Sequence, residues 1–222
     1  MNRFFILISL AFALNAVGQT RQAAWESNIA FNYGIKDWKL NSSIGHRTTS
    51  IKQGDLKERQ FAFWEINQFI TRSISPKISG SIGYKYRALD PTNSESLYEQ
   101  RLTQQIALNH INQRIRLISR IRTEQRFIEA NFLHRYRYRL SLDMPISGFK
   151  IDVREFYFVT SNEILMEFDR SESSIDYRLS IGIGYVGSRL YKVQVDLTHR
   201  MEHLDQKTDH VPFVHTSLIF NL

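Results

Sequence analysis

Between Gln113 and Leu142 the chain alternates with a period of two, and arginine carries the polar phase. Ile115, Leu117, Ser119 and Ile121 hold the odd positions, while Arg114, Arg116, Arg120, Arg122, Glu124 and Arg126 hold even ones, with Ile118 the exception. After a short break the phase is set again: Phe132, His134, Tyr136, Tyr138, Leu140 and Leu142 alternate with Leu133, Arg135, Arg137, Arg139 and Ser141. Strict alternation predicts strands, whose successive side chains point to opposite faces. A soluble half-buried sheet would put these arginines in water, and the two segments alone leave that open.

The rest of the chain repeats the pattern. Trp25, Ile29, Phe31 and Tyr33 oppose Glu26, Asn28 and Asn32, and beyond Gly34 the residues Trp38, Leu40 and Ile44 oppose Lys39, Asn41 and Ser43. Residues 47–58 are polar and read as a loop. From Gln60 to Thr71, Ala62, Trp64, Ile66 and Ile70 face away from Glu65 and Asn67, which share their side with Phe61, Phe63 and Phe69. Ile78, Ile82, Tyr84 and Tyr86 oppose Lys77, Ser79, Ser81, Gly83, Lys85 and Arg87; a polar loop at 88–96 holds the turn dipeptide Asp90-Pro91. Tyr98, Leu102, Ile106 and Leu108 oppose Glu99, Arg101, Thr103, Gln105 and Asn109, and 110–112 reads as a tight turn.

After Pro145 and Gly148 the phase slips between Phe149-Ile151-Val153 and Phe156-Phe158-Ile164-Met166-Phe168. Either a bulge near Arg154-Glu155 adds a residue to one long strand, or the chain reverses at Ser161-Asn162; the bulge is the preferred reading. Tyr177 to Tyr185 and Tyr191 to Leu197 are clean strands, and a loop at 203–210 leads to a last strand over 211–222.

Roughly ten to twelve segments of about 10–14 residues exceed the usual soluble strand and match tilted strands that cross a bilayer. The fold predicted is all-β: an antiparallel transmembrane β-barrel of about 10–12 strands, with short periplasmic turns and longer outer loops. An even count, ten or twelve, is expected, because single-chain bacterial barrels are normally even. Outward aromatics such as Trp38, Trp64, Tyr136, Tyr138, Tyr177 and Tyr185 suit interfacial girdles. In hydrocarbon every backbone group needs a partner, which forces closure.

Composition narrows the setting. Arg3 is followed by an apolar run of 11 residues, Phe4 to Leu14, and then by Ala16-Val17-Gly18, which predicts a signal peptide over 1–18 and a barrel domain over 19–222. No cysteine is present, which excludes disulfides and a lipid-modified cysteine. The chain of 222 residues carries +7; removing Arg3 with the leader gives (29 − 1) − 22 = +6 on the remaining 204. Because the arginines are interleaved with acids on one side of the strands, an enclosed charge ladder explains this balance better than nucleic acid does.

The run LISRIRTEQRF at 117–127 with RYRYRLSLDMPI at 135–146, the early Trp25, NEILMEF at 162–168 and IGIGY at 181–185 resemble a family of outer-membrane barrels of the Bacteroidota, domain of unknown function 2490. The resemblance covers essentially all of the chain after the leader. It departs after the NEI segment, where relatives carry a longer loop than the residues 169–173 here. It implies location in the outer membrane of a Gram-negative bacterium and a barrel shape, and it implies no chemistry.

The expected lumen ladder is Arg116, Arg120, Arg122, Glu124, Arg126, Arg135, Arg137, Arg139, Glu163, Arg178, Asp196 and Arg200, with Glu65 and Glu99 beside it. The plain reading is a set of cross-strand ion pairs filling a narrow barrel. The functional one is a narrow anion-preferring passage or a site for an acidic ligand, since arginines outnumber acids. A membrane-embedded lipid-modifying enzyme would need a serine-histidine pair; His134, His199 and His215 and Ser119, Ser141 and Ser217 are available, and no spacing ties them together. His199, Glu202 and His203 are too loosely spaced for a metal, and Gly182-Ile183-Gly184 precedes no helix. A soluble periplasmic lipocalin-like barrel is the third reading; it would put apolar side chains inside and arginines in water. No cofactor is expected. Expected partners are outer-membrane lipid and lipopolysaccharide, the barrel insertion machinery and a small anionic solute, with no nucleic acid. Leu222 ends the chain where many barrels place an aromatic, which leaves Phe220 as the insertion signal.

Overall fold

A computed structural model describes residues 22–53, 56–93, 96–112, 114–169 and 173–222. The leader expected at 1–18 lies outside them. Eleven strands form one closed barrel: β1 (Gln22–Ile35), β2 (Trp38–Gln53), β3 (Leu56–Ser73), β4 (Ile78–Leu89), β5 (Leu97–Asn112), β6 (Ile115–Ile128), β7 (Asn131–Pro145), β8 (Phe156–Phe168), β9 (Ser173–Val186), β10 (Tyr191–Glu202) and β11 (Asp209–Asn221). Each pairs antiparallel with its neighbours in sequence, whereas β1 and β11 close the wall as a parallel pair from Ala24↔Phe213 to Asn32↔Asn221. The expectation of an even count is therefore corrected. The Trp25–Tyr33 segment is a wall strand in its own right, and an odd number of alternating strands closes only if the first and last run the same way.

Pairing also redraws several boundaries. The polar run 47–58 is mostly strand: β2 and β3 stay in register out to Gln53↔Leu56, with a bulge at Arg47/Thr48. Ladder hydrogen bonds need no apolar side chains, and a partner strand turns a polar run into a wall. Residues 110–112, expected as a turn, belong to β5, with Asn112 opposite Ile115. Residues 149–155 are not the start of a long bulged strand. β8 begins at Phe156, and 146–155 is a connection with Gly148 and Arg154 at positive φ, 69° and 66°. This ten-residue segment is the longest connection and lies at the end of the barrel expected to carry only short turns.

The alternation sorts side chains as a barrel wall requires. Facing out are Trp25, Ile29, Phe31, Tyr33, Ile44, Ile66, Ile70, Ile82, Ile106, Ile121, Ile181, Ile183, Val195 and Leu197, all exposed. The aromatics gather in two belts. Near one end Trp64, Tyr86 and Tyr98 form a contiguous series, and the Phe127–Phe132 and Tyr136–Phe168 pairs stand further round the wall. Near the other, Phe31 stacks on Phe220 and Phe156 meets Tyr185. Trp25 and Tyr33 lie eight positions apart on one strand, which at ~3.3 Å per residue and a tilt near ~40° is roughly 20 Å of height.

Candidate functional site: an arginine-lined chamber inside the barrel

Because successive side chains alternate across the wall, every second residue of β3 to β10 reaches the interior, and the ladder register decides which charges meet. One row runs Arg120↔Arg139↔Glu163↔Arg178↔Arg200 across β6 to β10. The next inward row pairs Arg122 with Arg137, the next Glu124 with Arg135 and Glu167, and the next Lys85, Arg101 and Arg126. Directly opposed like charges are destabilising on a sheet. Here the carboxylates offset them diagonally. Glu124, 1 % exposed, receives Arg137 Nη1 at 2.8 Å and Arg101 Nη1 at 3.0 Å, with Arg122 Nη1 at 3.5 Å. Glu99, 0 % exposed, accepts from Arg126 Nε at 2.9 Å and from Arg101 Nε at 2.9 Å. Glu163 accepts from Arg137 Nη2 at 2.7 Å and Arg120 Nη2 at 3.2 Å, with Arg178 Nη1 at 3.8 Å. Glu167 binds Arg126 and Arg135, and Glu65 holds Lys85 at 2.7 Å and Arg87 Nε at 2.8 Å. Aromatic faces complete the lining: the Arg87 guanidinium carbon lies 3.8 Å over Phe63 and that of Arg122 lies 5.2 Å over Phe69.

The guanidiniums surround a chamber of about 470 Å³. Twelve cationic side chains line it, from Arg47 and Lys85 round to Arg178 and Arg200, with only Glu26 and Glu65 among its carboxylates. Six more carboxylates stand behind the guanidiniums as ion-pair partners: Glu99, Glu124, Glu163, Glu167, Asp176 and Glu202. Asp196 adds a ninth acid through His215, and among the described residues twelve cations against nine acids leave three positive charges. Arg139 makes no ion pair within 4.0 Å among the described residues, and Nε of both Arg139 and Arg178 is buried without an acceptor. A second cavity of about 290 Å³ shares Arg137, Arg139 and Arg178 with the first and continues past Ser161, Ser180 and Thr198.

Ten of the twelve ladder residues named from the sequence meet in this network, Asp196 joins it at the second cavity, and Arg116 lies apart. Arg116 sits at the mouth under 146–155, where its Nε donates to Asp143 at 3.0 Å. Asp196 is inside, yet its partners are Gln194 Nε2 at 2.9 Å and His215 Nδ1 at 3.5 Å. Gly182 makes room for that carboxylate, because a Cβ there would lie 2.1 Å from Asp196 Oδ1. Sequence reasoning missed Glu26, Arg47, Lys85, Arg87, Arg101, Glu167, Asp176 and Glu202 as members. All but Arg47 stand on the polar phase of their strands, which was the signal; Arg47 was hidden in a run read as loop.

The histidines are scattered. His134 packs against Phe132, and His199 Nε2 lies 3.0 Å from His210 Nδ1, away from Glu202, which faces Arg200. The ladder does bring Asp196, His215 and Ser217 into series, with His215 Nε2 3.5 Å from Ser217 Oγ. Ser217 is 7 % exposed and lines neither of these two chambers, whereas His215 lines both. On the outer face Ser27 Oγ and His46 Nδ1 are 2.7 Å apart, with His46 between the rings of Trp25 and Phe61.

Compared with known proteins, residues 23–211 match the family model described as protein of unknown function, DUF2490. No curated protein and no solved structure matches the chain.

Proposed function

The chain belongs to the DUF2490 family of proteins of unknown function, and from that premise we propose that it spans the outer membrane of a Gram-negative bacterium as a barrel whose interior is a narrow, anion-preferring lumen. The observation that carries this reading is the division of the wall: an outer face of exposed aliphatic and aromatic side chains, broken by hydrogen-bonded polar pairs such as Ser42–Gln68 and Gln104–Gln125, and ion-paired arginines inside. A soluble lipocalin-like barrel requires the reverse arrangement. Strands of 12–18 residues exceed the 9–11 or so that cross a bilayer at a tilt. Export through a cleaved leader over 1–18, insertion by the barrel insertion machinery and contact with outer-membrane lipid and lipopolysaccharide follow from that location. The excess of guanidiniums at the chamber surface favours anionic solutes over cations or nucleic acid.

The test is refolding of the chain without its leader into detergent micelles, followed by gel mobility with and without boiling and then conductance in planar bilayers. A heat-dependent band and a reversal potential favouring chloride over potassium are expected. A folded monomer that needs no detergent would overturn the membrane assignment. Cation-selective conductance would overturn the anion preference.

A further inference from the structure

We infer that the chamber contains a binding site for a soluble, phosphoryl-bearing polyanion, centred on Arg139 and Arg178 and completed by Arg120. The inference deepens the proposed anion-preferring lumen and rests on it. Three observations converge. The first is the surplus: among the described residues, three positive charges remain in a chamber of about 470 Å³ after the carboxylates ion-paired to its lining are counted, Asp196 on His215 included. Like charges confined in a low-dielectric wall repel strongly unless an anion is present. The second is where the surplus falls. Glu163 is shared by Arg120, Arg137 and Arg178, and its register neighbour Arg139 has no ion pair within 4.0 Å among the described residues. The Nε atoms of Arg137, Arg139, Arg178 and Arg200 are shielded from water and make no hydrogen bond, and of these four, among the described residues, Arg139 has no ion pair and Arg178 only the 3.8 Å contact with Glu163. The third is shape: both cavities are lined by these two arginines, which therefore stand where the spaces adjoin.

The ligand's chemistry follows from the donors. Guanidiniums arrive from β6, β7 and β9, three directions about one volume. A flat carboxylate is matched by a single fork, whereas a tetrahedral phosphoryl group offers oxygens to several forks at once. The closed wall bars a headgroup from entering sideways out of a bilayer, so the polyanion is a solute that enters through an end.

Isothermal titration of the full refolded chain in detergent, with pyrophosphate as the probe and sodium chloride at matched ionic strength as the reference, tests this. One saturable pyrophosphate site per chain is expected, weakened roughly tenfold to a hundredfold by Arg139→Gln or Arg178→Gln and unchanged by Lys77→Gln on the exposed rim. Arg139→Lys keeps the charge but loses the fork, and is expected to bind more weakly than the parent while folding like it; it serves if Arg139→Gln fails to give the heat-dependent band. Pyrophosphate heats no larger than those of chloride, or equal affinity in the folded arginine variants, would overturn the site. Citrate binding as tightly as pyrophosphate would overturn the phosphoryl assignment. A heat-dependent band without pyrophosphate binding defeats the site alone, whereas binding by a chain folded without detergent defeats the membrane assignment alone.

Discussion

Glu99→Gln is the most exacting test of the interior network. Glu99 has no solvent exposure and touches three guanidiniums: Arg101 Nε at 2.9 Å, Arg126 Nε at 2.9 Å and Nη2 at 3.1 Å, and Arg87 Nη1 at 3.7 Å. At an effective dielectric of about 20 each such contact is worth ~4 kcal/mol, or ~12 for the three. The carboxylate's own desolvation, several kcal/mol, is recovered when it is neutralised. None of the three guanidiniums is left wholly unpaired, because Arg101 keeps Glu124, Arg126 keeps Glu167 and Arg87 keeps Glu65. The new amide, however, turns a donor toward donors. The net loss expected is ~3–5 kcal/mol, the range for breaking a buried pair. Urea titration of the chain in lipid vesicles, scored by the folded band on an unboiled gel, measures it. Glu202→Gln, where the carboxylate is 25 % exposed at the rim beside Arg200, should cost less than ~1 kcal/mol in the same assay. If the two variants unfold together, the interior carboxylates are not buried counter-charges and the reasoning fails.

Other expectations follow from the wall itself. Gly184→Ala should destabilise by ~1–3 kcal/mol, because a Cβ at Gly184 would lie 2.0 Å from the Tyr157 ring, whose hydroxyl donates to Gln194 at 2.8 Å; an unchanged urea midpoint would show that the ring moves freely. Ile121→Lys, on the outer face and 60 % exposed, should cost ~2–4 kcal/mol in vesicles, whereas Leu204→Lys in the β10–β11 connection should be neutral within ~0.5 kcal/mol; equal effects would place Ile121 in water. Glu163→Gln removes the one acid from the Arg120–Arg200 row and should raise the chloride-to-potassium permeability ratio; a fall in that ratio would contradict a lumen governed by those arginines.

Alternation made the fold legible, since a period of two fixes both the strand and its outward face. The lumen set Arg120 to Arg139 was readable for the same reason, and Trp25–Tyr33 already carried the pattern of a wall strand. What escaped was whatever depends on the partner rather than on the segment. Arg47 became a lumen residue only because β3 pairs with a polar run, and Arg116 left the ladder because register aims it at Asp143. The strand parity was hidden too: nothing local in β1 or β11 says that they meet side by side in parallel.

That parallel seam governs what can be attached to the molecule. Gln22 and Leu222 lie at opposite ends of the cylinder, since β1 and β11 point the same way. In the membrane-spanning arrangement proposed above, a tag before β1 and a tag after β11 would report on different sides. No short peptide could join the two ends into a circular chain without threading the arginine-filled interior or crossing the apolar wall, and a circular permutant of this barrel would have to carry a linker as long as the cylinder itself.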